Sequence, residues 1–171
     1  PHTPIQAEKK DIELMNHIKD KKERIYAANI FALDRAVGRI INSINANELS
    51  DNTLIVFFSD NGPVHDIDPV AGVVAADILN SRGNTLGLKG SKGSTYEGGI
   101  RVPAIIYYKG VLEKSLSNQF FFSDDMLPTI LSAAKIQLDK DIFTGVDRWD
   151  NLITNNIKPP KNSITGNVII N

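Results

Sequence analysis

Cysteine is missing from all 171 residues. Its absence excludes disulfides, thiolate metal sites and a cysteine nucleophile from this chain, and it leaves the redox compartment undetermined. A dominant charge is missing too: 19 basic against 20 acidic residues leave a net charge of −1. No global field draws in nucleic acid or an anionic membrane, so any affinity for anions is local. The longest apolar runs, LIVFF (54–58), AIIYY (104–108) and FFF (120–122), fall far short of the roughly 20 residues a membrane-spanning helix needs. No transmembrane segment is expected, and nucleic acid is not an expected partner. The chain begins PHTPIQ, without an initiator Met or a basic and apolar leader, which reads as a piece of a longer protein.

What is present is ordinary globular material, 42% hydrophobic, enough for one domain with a core. After a charged stretch, AEKKDIELMNHIKDKKER, the residues Tyr26, Ile30, Leu33, Val37, Ile41 and Ile44 recur at spacings of three and four. That period predicts a helix with one apolar stripe, which should pack on a sheet. Thr53 to Phe58 is apolar on both alternating faces, the pattern of a central strand covered on two sides. Further strands are expected at Val102 to Tyr108, Gln119 to Phe122 and in the final NVIIN, a short helix in VAGVVAADILN, and a helix from Asp125 to Ala134. The order helix, strand, long loop, strand, strand, helix points to an α/β layer architecture.

Sites in α/β proteins cluster where strands end, and the first strand ends in SDNG (59–62). Asp60 and Asn61 offer the hard oxygens that calcium or magnesium requires. Asn-Gly is also a common turn dipeptide, so a capped turn explains the same residues. The segment LKGSKGSTYEGGIRVP (88–103) places Gly90 and Gly93 around Ser91 and Lys92. Its backbone can approach a ligand and its ammonium can face an anion, although a solvated basic loop has the same composition. It lacks the GxxxxGK[ST] spacing of a P-loop. Glu97 and Arg101 stand four apart, but the two glycines between them argue against a helix and for a structural ion pair. His2 and His17 read as exposed side chains, and HDID (65–68) as a surface loop.

The pieces HTPIQ, YAANIFALDRAVGRII, DNTLIVFFSDNGP, LKGSKGSTYEGGIRVPAI, SDDMLPTILSAA and TGVDRW, in this order, resemble the sulfatase family, and within it the arylsulfatases, arylsulfatase B-like enzymes included. The resemblance implies an alkaline-phosphatase-like α/β sandwich, with a central, mostly parallel sheet between helices, here incomplete. It implies residues 1–150 as the later half of a catalytic domain and 151–171 as the start of a C-terminal region or connector. Such a part on its own is expected to be inactive and poorly stable, with exposed apolar strand edges.

By the same resemblance Asp60 and Asn61 match ligands of a divalent cation, usually calcium, Lys92 a contact to the substrate sulfate, and His2 a sulfate-facing group that assists the leaving oxygen. The implied activity is hydrolysis of sulfate esters on an aryl or carbohydrate substrate. The alternatives are a non-catalytic, truncated relative, or a phosphatase or phosphodiesterase of the same superfamily. The family's formylglycine nucleophile comes from a Cys/Ser-x-Pro-x-Arg segment that does not occur in these residues. A lysosomal or secreted setting, periplasmic in a bacterium, is the expectation from the family.

Overall fold

A computed structural model describes residues 5–64, 83–117, 121–137, 142–154 and, for the backbone alone, 168–170. The chain divides into two compact units and crosses between them: Pro1–Glu48 with Asn61–Ile100, and Leu49–Asp60 with Arg101–Asn171.

In the first unit the carboxylate of Asp20 accepts a hydrogen bond from Glu23 N at 2.8 Å, capping α2 (Lys21–Ala46), which runs for 26 residues. The apolar stripe from Tyr26 to Ile44 lies on this helix as its period requires. None of the six stripe residues is buried, however, and Ile30 is exposed. Within the described residues of this unit no strand stands against the helix. Its neighbour is α1 (Lys9–Leu14), whose length of about 9 Å cannot cover a helix of about 39 Å.

What joins α1 to α2 is mostly polar. Arg35 forks onto both oxygens of Asp11, with Nη2 to Oδ2 at 2.8 Å and a second bond from Nη1 to Oδ1. Asp11 itself is fully buried. Asn29 Nδ2 donates to Gln6 O at 2.7 Å. The hydrogen bonds from Arg35 hold the Asp11 carboxyl below its ordinary value, against the opposing effect of burial. A carboxyl depressed in the folded state stabilises the fold above its unfolded pKa of about 3.9, and that contribution is lost as pH falls through the folded value. Urea midpoints should therefore favour the wild type over Asp11→Asn at pH 6, and the difference should shrink below about pH 4. A difference that stays constant from pH 6 to pH 2 would contradict this assignment.

The second unit contains a four-stranded sheet in the order β1-β2-β4-β3, built from β1 (Leu54–Phe58), β2 (Ala104–Tyr108), β3 (Ser115–Ser117) and β4 (Val168–Ile170). β1 pairs antiparallel with β2, with Val56 opposite Ile106. β4 runs parallel to β2 and antiparallel to β3. The sheet is thus mixed, with one parallel pair among its described strands, where a mostly parallel one was expected. The six residues between β2 and β3 are too few for the crossover that parallel strands need. β1 was expected at the centre and stands instead at one end of this order, with Phe57 and Phe58 exposed. The third described strand is Ser115–Ser117; of the strand expected at Gln119 to Phe122, residues 119 and 120 lie outside the described residues, and Phe121 and Phe122 lead directly into α4 (Ser123–Ala133). The helix expected in VAGVVAADILN lies outside the described residues.

The core of this unit is small. Ile106, Leu112, Trp149 and Leu152 are its buried members, bordered by Leu54, Val56, Ala104, Tyr108, Phe121 and Ala133. Trp149 and Leu152 come from α5 (Trp149–Thr154), and the ring of Trp149 tilts against Tyr108 at 6.2 Å. The segment TGVDRW is tied to α4 by Asp125, which is buried. Its carboxylate accepts from Val146 N at 2.7 Å, from Arg148 Nε at 3.2 Å and from Phe122 N at 3.2 Å. Thr129 Oγ1 adds a bond from Arg148 N at 3.0 Å. Buried polar groups with this many partners fix one arrangement of the loop.

Candidate functional site

The residues after β1 meet the glycine-rich segment through backbone atoms. Gly62 N donates to Gly99 O at 2.8 Å, Lys92 N donates to Pro63 O at 2.9 Å, and Gly98 N donates to Lys89 O at 2.8 Å. Such bonds require three stretches of main chain to lie against one another, which side chains would prevent. A Cβ on Gly62 would overlap the carbonyl oxygen of Gly98; one on Gly98 would overlap that of Gly90; one on Gly99 would overlap that of Ser94. Glycine is needed at all three positions because the neighbours are backbone atoms that cannot swing away.

The turn that carries Lys92 is closed from within. Ser94 N and Ser94 Oγ both donate to Ser91 O, at 3.0 and 2.9 Å, and Ser91 N donates to Ser94 Oγ at 3.2 Å. Gly90 and Gly93 take φ of +81° and +91°, where an L side chain costs about 1–2 kcal/mol. Ser91 is buried and Lys92 is half-buried. Lys92 therefore belongs to a turn braced from within. Directly after it, Glu97–Ile100 forms one turn of helix, α3, with Gly98 and Gly99 buried. The glycines between Glu97 and Arg101 had argued against any helix; they are tolerated because close approach, not propensity, decides this turn.

Of the residues singled out in the sequence, Lys92 is tied through its main-chain N–H to Pro63 O, two residues beyond Asn61. Asn61 is half-buried and Asp60, bonded to it through the peptide link, is exposed. His2 and the segment His65, Asp66, Asp68 lie outside the described residues. His17 is exposed, as expected. Among the described residues no group of three or more His, Cys, Asp or Glu gathers as a cation cage would. The oxygen donors of Asp60 and Asn61 fit a hard cation such as calcium in kind, and a complete shell of 6–8 oxygens needs more donors than these two supply. Sequence reasoning did not identify Gly62, Gly98 and Gly99 as the joint that carries the site. Their signal was the pairing of NGP with EGG, readable only once the two segments are known to touch.

The chain is 30% identical over 169 residues to arylsulfatase J of Mus musculus, covering 98% of this chain and 26% of that protein. It is 33% identical over 113 residues to an N-acetylgalactosamine-6-O-sulfatase of Bacteroides thetaiotaomicron, covering 66% of this chain and 22% of that protein. The chain thus spans about a quarter of the length of these curated relatives. Among solved structures, that of Ps i-CgsB in complex with k-i-k-neocarrahexaose superposes with a TM-score of 0.73 at 31% identity, over 91% of this chain and 32% of that one. The likeness extends from sequence to backbone, and the sulfatase family model matches residues 1–136. With the ordered motifs and the interlocked strand end and lysine turn, this establishes that the chain belongs to the sulfatase family.

Proposed function

We propose that the protein to which these residues belong hydrolyses sulfate esters of aryl or carbohydrate substrates, and that residues 1–150 are the later half of its catalytic domain. The observation that supports this is the backbone bond from Lys92 N to Pro63 O, which ties the lysine turn to the residue that follows the SDNG segment. In the proposed site Lys92 neutralises the negative oxygens of the sulfate, a role that a braced ammonium performs without reorganising during the reaction. His2 holds a proton for the oxygen of the leaving alcohol, where charge grows as the S–O bond breaks. Asp60 and Asn61 would hold calcium, which when bound supplies fixed positive charge at the sulfate. The nucleophile, expected to be a formylglycine, comes from none of these residues.

A carbohydrate substrate is supported by the two similar proteins whose names specify sugars. A lysosomal, secreted or periplasmic setting belongs with the same proposal. Among the described residues no helix is long and apolar enough to cross a membrane. Assays of the full-length protein on paired aryl sulfate and aryl phosphate test the proposal. Turnover of the sulfate with little of the phosphate is expected. Preference for the phosphate would assign the site to phosphoryl chemistry, and turnover of neither would make the protein a non-catalytic relative.

A further inference from the structure

Within the same segment, two side chains that take no part in the proposed chemistry form a cation and aromatic pair. Lys89 Nζ stands 3.9 Å from the centre of the Tyr96 ring, close enough for a strong attraction between the ammonium and the ring quadrupole. Exposed lysines ordinarily sample many rotamers, so a pair of this kind depends on the backbone that carries it. Here the backbone is held at both ends: Lys89 O accepts from Gly98 N at 2.8 Å, and Tyr96 O accepts from Gly99 N at 2.8 Å and Ile100 N at 3.3 Å. A Cβ on Gly90 would stand 2.8 Å from Tyr96 Cβ, so the base of the ring is seated against bare main chain. Tyr96 as a residue nonetheless remains 51% exposed, and Lys89 is exposed. The glycines that brace Lys92 thus also fix a flat apolar face and a second ammonium, three residues before Lys92 and four after it.

We propose that Lys89 and Tyr96 form a recognition subsite for a second sulfated sugar unit, adjoining the one whose ester is cleaved, so that the preferred substrate is a multiply sulfated glycan. This rests on the sulfatase function proposed above. The chemistry fits a sugar in two respects. A pyranose presents a face of C–H groups that lies flat on an aromatic ring, and its sulfate is a fixed anion for an ammonium to meet. Preorganisation lowers the entropy lost on binding. A net charge of −1 supplies no global field for a long polyanion such as nucleic acid. Two ammoniums three residues apart on one braced segment instead suit a short repeat of sulfates.

The test uses the full-length protein, with p-nitrophenyl sulfate as substrate and a fully sulfated hexasaccharide as inhibitor, its desulfated form serving as control. For Lys89→Ala and Tyr96→Ala the inhibition constant of the sulfated hexasaccharide should rise roughly tenfold more than the KM for p-nitrophenyl sulfate changes. Tyr96→Phe, which keeps the ring, and Lys89→Arg, which keeps the charge, should restore most of the inhibition. Equal inhibition by the two hexasaccharides, or a parallel loss of inhibition and p-nitrophenyl sulfate turnover, would overturn the proposal and leave the pair as a brace for the loop. If the wild type does not turn over p-nitrophenyl sulfate, the hydrolase function itself fails. Calorimetric titration of the sulfated hexasaccharide into wild type and Tyr96→Ala then decides the subsite separately, and equal binding to both would reject it.

Discussion

Lys92→Ala in the full-length protein is expected to lower kcat/KM for an aryl sulfate by roughly 10²–10³-fold, the usual cost of removing one preorganised charge-stabilising group. The loss should appear in kcat as well as KM, as the proposed role of Lys92 in stabilising the transition state requires. The fold should survive the change. Alanine retains the main-chain bond from position 92 to Pro63 O, and the bracing hydrogen bonds come from Ser91 and Ser94. Thermal unfolding of the variant and steady-state kinetics on the same preparation check both halves. Near wild-type turnover would remove Lys92 from the site.

Gly98→Ala is expected to damage both stability and activity although it touches no reacting group. The added Cβ would overlap the carbonyl oxygen of Gly90 and lie 2.8 Å from that of Lys89. Neither atom can move without shifting the backbone that leads into Lys92, and the Gly98 N bond to Lys89 O would be strained or lost. Overpacking of this kind costs about 1–3 kcal/mol, and a displacement near 1 Å of a positioned group can cost about 10²-fold in rate. Gly38, inside α2, provides the contrast, since a Cβ there meets nothing within 4 Å. Gly38→Ala should be neutral or stabilising by up to about 1 kcal/mol, with activity unchanged. Urea midpoints and kcat/KM for the pair measure the effect. Equal behaviour of the two variants would show that the glycine interlock does not position the site.

The local features of this fold were legible because they depend on nearby residues. The stripe from Tyr26 to Ile44 marked α2 through its period alone, and β1 and β2 followed from short apolar runs. What covers those elements is nonlocal, so neither the partner of the α2 stripe nor the place of β1 at the end of the described strand order could be read from the runs. The strand Ser115–Ser117 was not foreseen for a related reason: its apolar signal is weak, and it is defined by its pairing with β4, while Phe122 leads into α4, where Asp125 accepts its N–H. Glu97–Ile100 shows the limit of propensity. Two glycines weaken a helix locally by about 1 kcal/mol each, but the turn forms because Gly62 and Gly90 press their backbones against it.

The candidate site was half legible in the same sense. Asp60, Asn61 and Lys92 stood out as residue types, and a turn or a basic loop explained each of them equally well. The bond from Lys92 N to Pro63 O joins segments far apart in the sequence. No local pattern encodes that contact. Only the ordered set of family motifs pointed to it, and the backbone then supplied its physical cause in Gly62, Gly98 and Gly99.

The most direct test of the proposed chemistry is the ratio of kcat/KM for an aryl sulfate to that for the matching aryl phosphate, measured on the full-length protein with calcium present. A ratio well above one, abolished together with sulfate turnover by Lys92→Ala, is the predicted result. A ratio below one, or sulfate turnover indifferent to Lys92, would contradict it.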